Sequence, residues 1–216
     1  MPHTARILIV DDHPVFRKGL AQLINEEKDM EVCGEAEDVD TAQQKLVRLD
    51  PDMVIIDITL KDKSGLELLA EVQTARPGLP TLIISMHDES LYAERAFRLG
   101  AMGYIMKGEM SDTVIQAIRQ VLSGRIYASD TMVSRMVGRL TRKTDPASHP
   151  VESLSDRELE VFQLMGKGFQ RKEIADLLGI SVKTVGSYRE TIKKKLNVCT
   201  SGALMREALD WRRRFP

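Results

Sequence analysis

The chain has 216 residues, 43% hydrophobic and 29% charged, the balance of a soluble globular protein with room for one large domain or two small ones. Its longest apolar runs, such as residues 7–10 and 53–56, are far too short for a membrane span or the core of a secretory signal. The net charge of −1 is split: residues 1–124 hold 13 Lys and Arg against 21 Asp and Glu, residues 125–216 hold 18 against 11, and only the second half is expected to meet a polyanion.

Between residues 6 and 124, short β-branched runs alternate with amphipathic segments of helical length. Strands are predicted at 6–10, 30–36, 53–57, 81–85 and 103–106, and helices at 14–25, 39–49, 65–74, 89–99 and 111–122. The first, third and fourth strands are apolar on both faces, as in a parallel sheet covered on each side. Five such units predict an α/β fold, a doubly wound five-stranded parallel sheet of flavodoxin-like order. Residues 125–142 carry a helical apolar spacing and run into a polar, proline-containing stretch at 144–150. From Ser153 onward only helices are predicted. The expected domains are therefore 1–124, a helical and flexible linker at 125–152, and a small all-α domain at 153–216. Cys33 and Cys199 have no His or Cys partner at metal spacing and read as reduced thiols of a cytoplasmic protein.

Chemistry gathers at the strand ends, where ligands bind in such a sheet. Asp11 and Asp12 follow the first strand, and Asp57 closes the third. Three converging carboxylates call for a cation, and hard oxygen ligands suit Mg²⁺. Ser85 ends the fourth strand and Lys107 follows the fifth, adding a hydroxyl and a point positive charge. This is the inventory of a phosphoryl-transfer site, in which one carboxylate attacks and the rest position and neutralise. Each residue alone has a duller explanation; an acidic pair before Pro14, for instance, also suits a helix start. Five suitable residues at four strand ends carry the chemical reading.

Over residues 5–124 the chain resembles the receiver domains of two-component signalling. The matching stretches are Ile7-Leu8-Ile9-Val10-Asp11-Asp12-His13, Pro51-Asp52-Met53-Val54-Ile55-Ile56-Asp57, Ile84-Ser85-Met86-His87 and Gly103-Tyr104-Ile105-Met106-Lys107. The resemblance implies that Asp57 is the phosphoacceptor. It also implies that Asp11, Asp12, Asp57 and the backbone carbonyl of Thr59 hold Mg²⁺, and that Ser85 and Tyr104 form a switch pair. The chain departs from the family after Asp57, where Leu60-Lys61-Asp62-Lys63 leads to Ser64-Gly65 without the usual proline. It departs again at Gly108, where many receivers have a proline.

In the second domain, Ser155-Asp156-Arg157-Glu158 is a capping box that opens a helix, and Gly166-Lys167-Gly168 ends it. Ala175, Gly179 and Val185 then follow at helix-turn-helix spacing: a small residue for close packing, a turn, and a core plug. Ser181 caps the second helix, expected to run to about Leu196. Its Lys183, Ser187, Tyr188, Thr191, Lys194 and Lys195 offer charge and hydrogen-bond donors for phosphates and base edges. A last helix at 201–213 places Trp211 as a packing or interface anchor. Glu173-Ile174-Ala175, Leu178, Ser181, Lys183-Thr184-Val185 and Lys195-Leu196 resemble the LuxR-type DNA-binding domain, and the two-domain plan resembles the NarL/FixJ response regulators. The resemblance makes residues 181–196 the recognition helix, with Lys183, Thr184, Gly186, Ser187, Tyr188, Glu190, Thr191 and Lys194 towards DNA. Gly186 and Glu190 depart from the lysine and the neutral or basic residue common there.

The expected function is a phosphorylation-switched transcription regulator. A sensor histidine kinase phosphorylates Asp57, and the protein binds a pseudo-palindromic operator, as a homodimer when phosphorylated or DNA-bound. Two rivals remain: a Mg²⁺-dependent phosphohydrolase with Asp57 as nucleophile, and a constitutive DNA-binding protein whose first domain only mediates contacts. The basic helical domain has no role in the former, and the complete Asp11, Asp12, Asp57, Ser85 and Lys107 set has none in the latter.

Overall fold

The computed structural model describes residues 4–60, 63–86, 89–109, 111–141 and 150–214. Lys61, Asp62 and His87, and the polar stretch 144–149, lie outside the described residues. The chain divides into two compact units, residues 1–140 and 141–216.

The first unit alternates strand and helix: β1 (Ala5–Val10), α1 (Pro14–Asn25), β2 (Met30–Ala36), α2 (Val39–Leu49), β3 (Met53–Asp57), α3 (Gly65–Ala75), β4 (Thr81–Ser85), α4 (Glu89–Arg98), β5 (Gly103–Met106) and α5 (Ser111–Leu122). All strand pairings are parallel, in the order β2-β1-β3-β4-β5, which is the doubly wound arrangement read from the sequence. Side chains alternate across a strand, so each strand feeds two cores. Ile7, Ile9, Met53, Ile55, Leu82, Ile84 and Ile105 meet Leu20 and Ile24 of α1 and Ala117, Ile118 and Val121 of α5. Leu8, Val10, Val54, Ile56 and Ile83 are equally buried on the alternate positions. Each such side chain withdrawn from water contributes roughly 1.5–3 kcal/mol before the chain-ordering cost. A sheet buried on both faces leaves its strand ends as the place where polar chemistry reaches water.

The helix that follows is shorter than its spacing implies. Residues 125–129 are not helical: the Tyr127 N–H donates to the Met102 carbonyl at 2.8 Å, and the Tyr104 N–H donates to the Tyr127 carbonyl at 3.3 Å. This stretch is drawn alongside β5, and Tyr127 bridges Gly103 in parallel. Helix α6 (Asp130–Thr141) begins only where Ser129 Oγ accepts from the Met132 N–H.

The second unit opens with a 3₁₀ turn at Pro150–Ser153, followed by α7 (Asp156–Gly166), α8 (Arg171–Leu177), α9 (Val182–Lys195) and α10 (Ser201–Arg214). The predicted capping box is present: Ser155 Oγ accepts from the Glu158 N–H, and Glu158 Oε2 accepts from the Ser155 N–H at 2.6 Å. Gly179, at φ +64°, takes the left-handed turn between α8 and α9, where a side chain would be strained. Val185 and Ala175 are buried as expected, and Phe162, Met165, Ile174, Ile192, Leu204 and Trp211 complete this core.

Candidate functional site

The register of the sheet brings the receiver residues together. Asp57 pairs with Ile84 across β3 and β4, and Ser85 pairs with Met106 across β4 and β5. The Lys107 N–H donates to the Ser85 carbonyl at 2.7 Å. Asp57, Ser85 and Lys107 therefore stand side by side at the carboxyl edge, and Asp11 follows β1 next to β3. The Lys107 side chain is nearly buried, with Nζ 2.7 Å from both Asp57 Oδ2 and Asp11 Oδ2. Its ammonium also lies 4.7 Å from the centre of the Phe16 ring, a cation–π contact that adds to its confinement.

Asp57 is 2% exposed. Burial pushes its carboxyl up to about 6; Lys107 pulls it down, the Asp11 charge pushes it up, and the Thr59 N–H, 3.3 Å from Oδ1, favours the ionised form. The loop past Asp57 is shaped by contacts instead of a proline. Thr59 and Ser64 form an antiparallel bridge, and the Gly65 N–H donates to the Ile58 carbonyl at 2.7 Å. A Cβ on Gly65 would stand 1.9 Å from the Asp57 carbonyl oxygen, so only glycine lets the start of α3 fold over the strand end. Buried Ser64 caps that helix through Leu66.

His13 was quoted in the sequence motif without a role, and it joins this cluster. Its Nδ1 lies 2.7 Å from Asp12 Oδ1, 3.4 Å from Asp11 Oδ1, 3.7 Å from Asp57 Oδ2 and 3.4 Å from Lys107 Nζ. Asp12 Oδ1 is buried and has no hydrogen bond, although His13 Nδ1 stands 2.7 Å away. One ligand atom from each of Asp11, Asp12, His13 and Asp57 falls within a 4.8 Å span, a cluster able to hold a metal ion. An orphaned carboxylate oxygen among hard oxygen donors fits a small divalent cation. Arg17 braces the turn, donating to the Asp11 carbonyl and to Glu35 Oε2. Tyr104 is buried, 2% exposed, beside the Tyr127 stretch whose carbonyl accepts from its N–H.

In the second unit, α9 sorts its residues by face. Lys183, Ser187, Glu190, Thr191 and Lys194 are exposed along one stripe; Thr184, Gly186 and Tyr188 are half-buried beside it. Thr184 is a capping partner, its N–H and hydroxyl both on Ser181 Oγ. The Ser187 hydroxyl donates back to the Lys183 carbonyl and the Thr191 hydroxyl to that of Ser187. Both oxygens are thereby left to accept. Glu190 is ion-paired with Lys193 at 2.8 Å, and that hydrogen bond holds its carboxyl below the ordinary range.

Lys195 does not belong to the presented stripe. Its ammonium is 2.6 Å from Glu158 Oε2 and 3.1 Å from the Ser153 carbonyl, so it ties α9 to the start of α7. Sequence reasoning also passed over Arg189, which is buried on the inward side of α9. The signal was available: positions 185, 189, 192 and 196 form one helical face, and only one of them is charged.

The response regulator receiver domain family matches residues 7–119, and the luxR family of bacterial regulatory proteins matches residues 152–208. The chain is 35% identical over 209 residues to the oxygen regulatory protein NreC of Staphylococcus carnosus, covering 94% of this chain and 96% of the relative. Among solved structures, a LuxR-family two-component response regulator from Aurantimonas is 33% identical, with a TM-score of 0.60 over 64% of this chain and 99% of that one. Salmonella enterica RcsB, bound to promoter P1flhDC in the presence of the phosphomimetic BeF₃⁻, is 25% identical, with a TM-score of 0.61 over 95% of this chain and 98% of that one. Two matched domains in this order, and relatives alike over nearly their full length, mean that the chain belongs to the NarL/FixJ-type response regulators, which join a receiver domain to a LuxR-type DNA-binding domain.

Proposed function

We propose that Asp57 accepts a phosphoryl group from a sensor histidine kinase and that the resulting acyl phosphate controls binding of α9 to an operator. The observation that carries this reading is the Lys107 ammonium, 2.7 Å from both Asp57 and Asp11 and nearly sealed from water, beside a buried Asp12 oxygen that accepts nothing. Three carboxylates around one ammonium suit a small divalent cation, and with that cation bound Lys107 is placed to pair with a phosphoryl group.

An Asp57 oxygen attacks the phosphorus of the donor phosphohistidine. The P–N bond breaks, its electron pair stays on the imidazole nitrogen, and that nitrogen takes up a proton. Lys107 pairs with the phosphoryl charge, and the Ser85 hydroxyl donates to a phosphoryl oxygen. Mg²⁺, when held by Asp11, Asp12, Asp57 and the Thr59 carbonyl, supplies the remaining neutralising charge. With Ser85 drawn to the phosphoryl group, Tyr104 is held inward, and the two states of this pair bias the protein towards dimers that grip a pseudo-palindromic site. The promoter complex of RcsB formed with a phosphomimetic supports the DNA side of this reading. The protein works in the cytoplasm, where the kinase domain and the promoter are both within reach.

Incubation with acetyl phosphate and Mg²⁺, followed by intact-mass measurement, tests the assignment. Wild type should gain about 80 Da, one phosphoryl group, and Asp57→Asn should gain none while remaining folded. Uptake by the Asn variant at the wild-type rate would move the acceptor elsewhere.

A further inference from the structure

Arg189 breaks the pattern of the inward face of α9. Val185, Ile192 and Leu196 fill that face with hydrocarbon, whereas Arg189 places a guanidinium among them and is only 8% exposed. Its Nε is buried and donates no hydrogen bond, and no carboxylate among the described residues forms an ion pair with it. An N–H of a charged group buried without an acceptor is costly. Burial and the like charge of Arg171, at the start of α8, together lower its pKa; Glu190 offsets this only in part and is itself engaged by Lys193. One sunken and one exposed guanidinium, of the same sign and near each other, are arranged for an anion.

Gly186 supplies the way in. Helical side chains lean towards the N-terminus and cover the turn three or four residues earlier, so Arg189 lies over the turn of Val185 and Gly186. Gly186 adds no side chain there, and a Cβ at that position would meet no atom within 4 Å, the Arg189 side chain included, so the surface beside Gly186 is open. By helical spacing, Gly186 lies between Arg189 and the flank that carries Lys183, Ser187, Glu190, Thr191 and Lys194, where Glu190 is held by Lys193.

We propose that Arg189, assisted by Arg171, is a buried phosphate clamp, in which a DNA backbone phosphate settles on the Gly186 turn and accepts hydrogen bonds from the sunken guanidinium. This rests on the reading of α9 as the DNA-facing helix and adds to it a contact outside the exposed stripe. Guanidinium and phosphate match as a two-pronged pair, and the contact carries no sequence information. It sets the depth and register of the helix on the duplex. The cost of burying Arg189 unpaired is relieved only when the phosphate arrives.

The test uses the full chain and a short random-sequence duplex, with affinity followed by fluorescence anisotropy across a salt series and folding by thermal melting. Arg189→Met keeps the length and removes the charge. It should melt no lower than wild type, yet bind roughly tenfold more weakly, with the slope of log affinity against log salt reduced by about one unit. Arg189→Lys should keep the slope and recover only part of the affinity, because an ammonium lacks the fork. Arg171→Gln, on an exposed residue, should also flatten the slope without altering the melt. Wild-type affinity and slope in Arg189→Met overturn the clamp. If Arg189→Met melts lower, Arg171→Gln decides, and an unchanged slope there reduces Arg189 to a packing residue. Failure of the wild type to bind any duplex at low salt instead brings down the DNA reading, and the clamp with it.

Discussion

Asp57 is kept as a carboxylate in a place that favours the acid. Its proton is held more tightly in the folded chain, at about 6, than in the unfolded one, at the ordinary 3.8. The protonated form thus favours folding, and this contribution, present below about pH 4, is lost as pH rises through 6. Asp57→Asn, neutral at every pH, should match wild type near pH 4 and exceed it above pH 6 by on the order of 3 kcal/mol in metal-free buffer. Urea unfolding of the two proteins with a chelator present checks this, and a gap independent of pH would remove the cost from Asp57. The same reasoning applies to Gly186, whose helical interior position has free space around it. Gly186→Ala should stabilise the second unit by about 1 kcal/mol; if its melt does not rise, the turn is holding something a methyl disturbs. Asp11, Asp12, Asp57, Ser85 and Lys107 were legible because their spacing reports strand ends. The His13 contacts and the isolation of Arg189 were not, since which charges face one another depends on packing between elements distant in sequence.

Helix α9 is defined at both ends by local chemistry, with Ser181 capping its first turn and Lys193, Lys194 and Lys195 at its last, where cations suit the dipole. Those signals, and the four-then-three spacing of Val185, Arg189 and Ile192, made its extent readable. The stretch at 125–129 was misread because Ile126 and Tyr127 satisfy a helical spacing while the Tyr127 backbone bonds to Met102 and Tyr104 at β5 and the Ile126 carbonyl accepts from the Gln120 side chain, tertiary demands no local pattern reports. On the proposed reading of α9, exposure and place along the helix separate positioning from reading. Lys194 stands free at the C-terminal end, where a phosphate is within reach, whereas Ser187 lies in the first half, which enters the groove deepest in this motif. Lys194→Ala should weaken binding to all sequences alike and lower the salt slope by about one unit. Ser187→Ala should leave the slope alone and change preference among operator variants by roughly 1–3 kcal/mol at one base pair. Equal slopes for wild type and Lys194→Ala would mean the helix lies differently on the duplex.

The whole molecule joins an acidic α/β unit to a basic helical one, each with its own buried core. The charge split and the change from alternating strands and helices to helices alone mark two parts along the chain, but the compact units divide at 140/141, with most of α6 in the first unit, and not at the expected 124. Separate cores imply separate unfolding, and the sequence supplies a reporter for one of them. Trp211 is the single tryptophan, buried in the core of the second unit. Its fluorescence follows that unit alone, whereas far-ultraviolet circular dichroism follows both. On the proposed reading Mg²⁺ is held by Asp11, Asp12 and Asp57 in the folded receiver alone, and a ligand at a hundred times its dissociation constant stabilises its host by about 2.7 kcal/mol. Added Mg²⁺ should therefore raise the receiver transition seen by circular dichroism by several degrees, while the Trp211 transition stays where it was. Asp57→Asn should blunt the receiver shift, because one of the three carboxylates is gone. If the Trp211 transition climbs in step with the other, the two units unfold as one, and the metal at the strand ends is felt directly in the core of the DNA-binding domain.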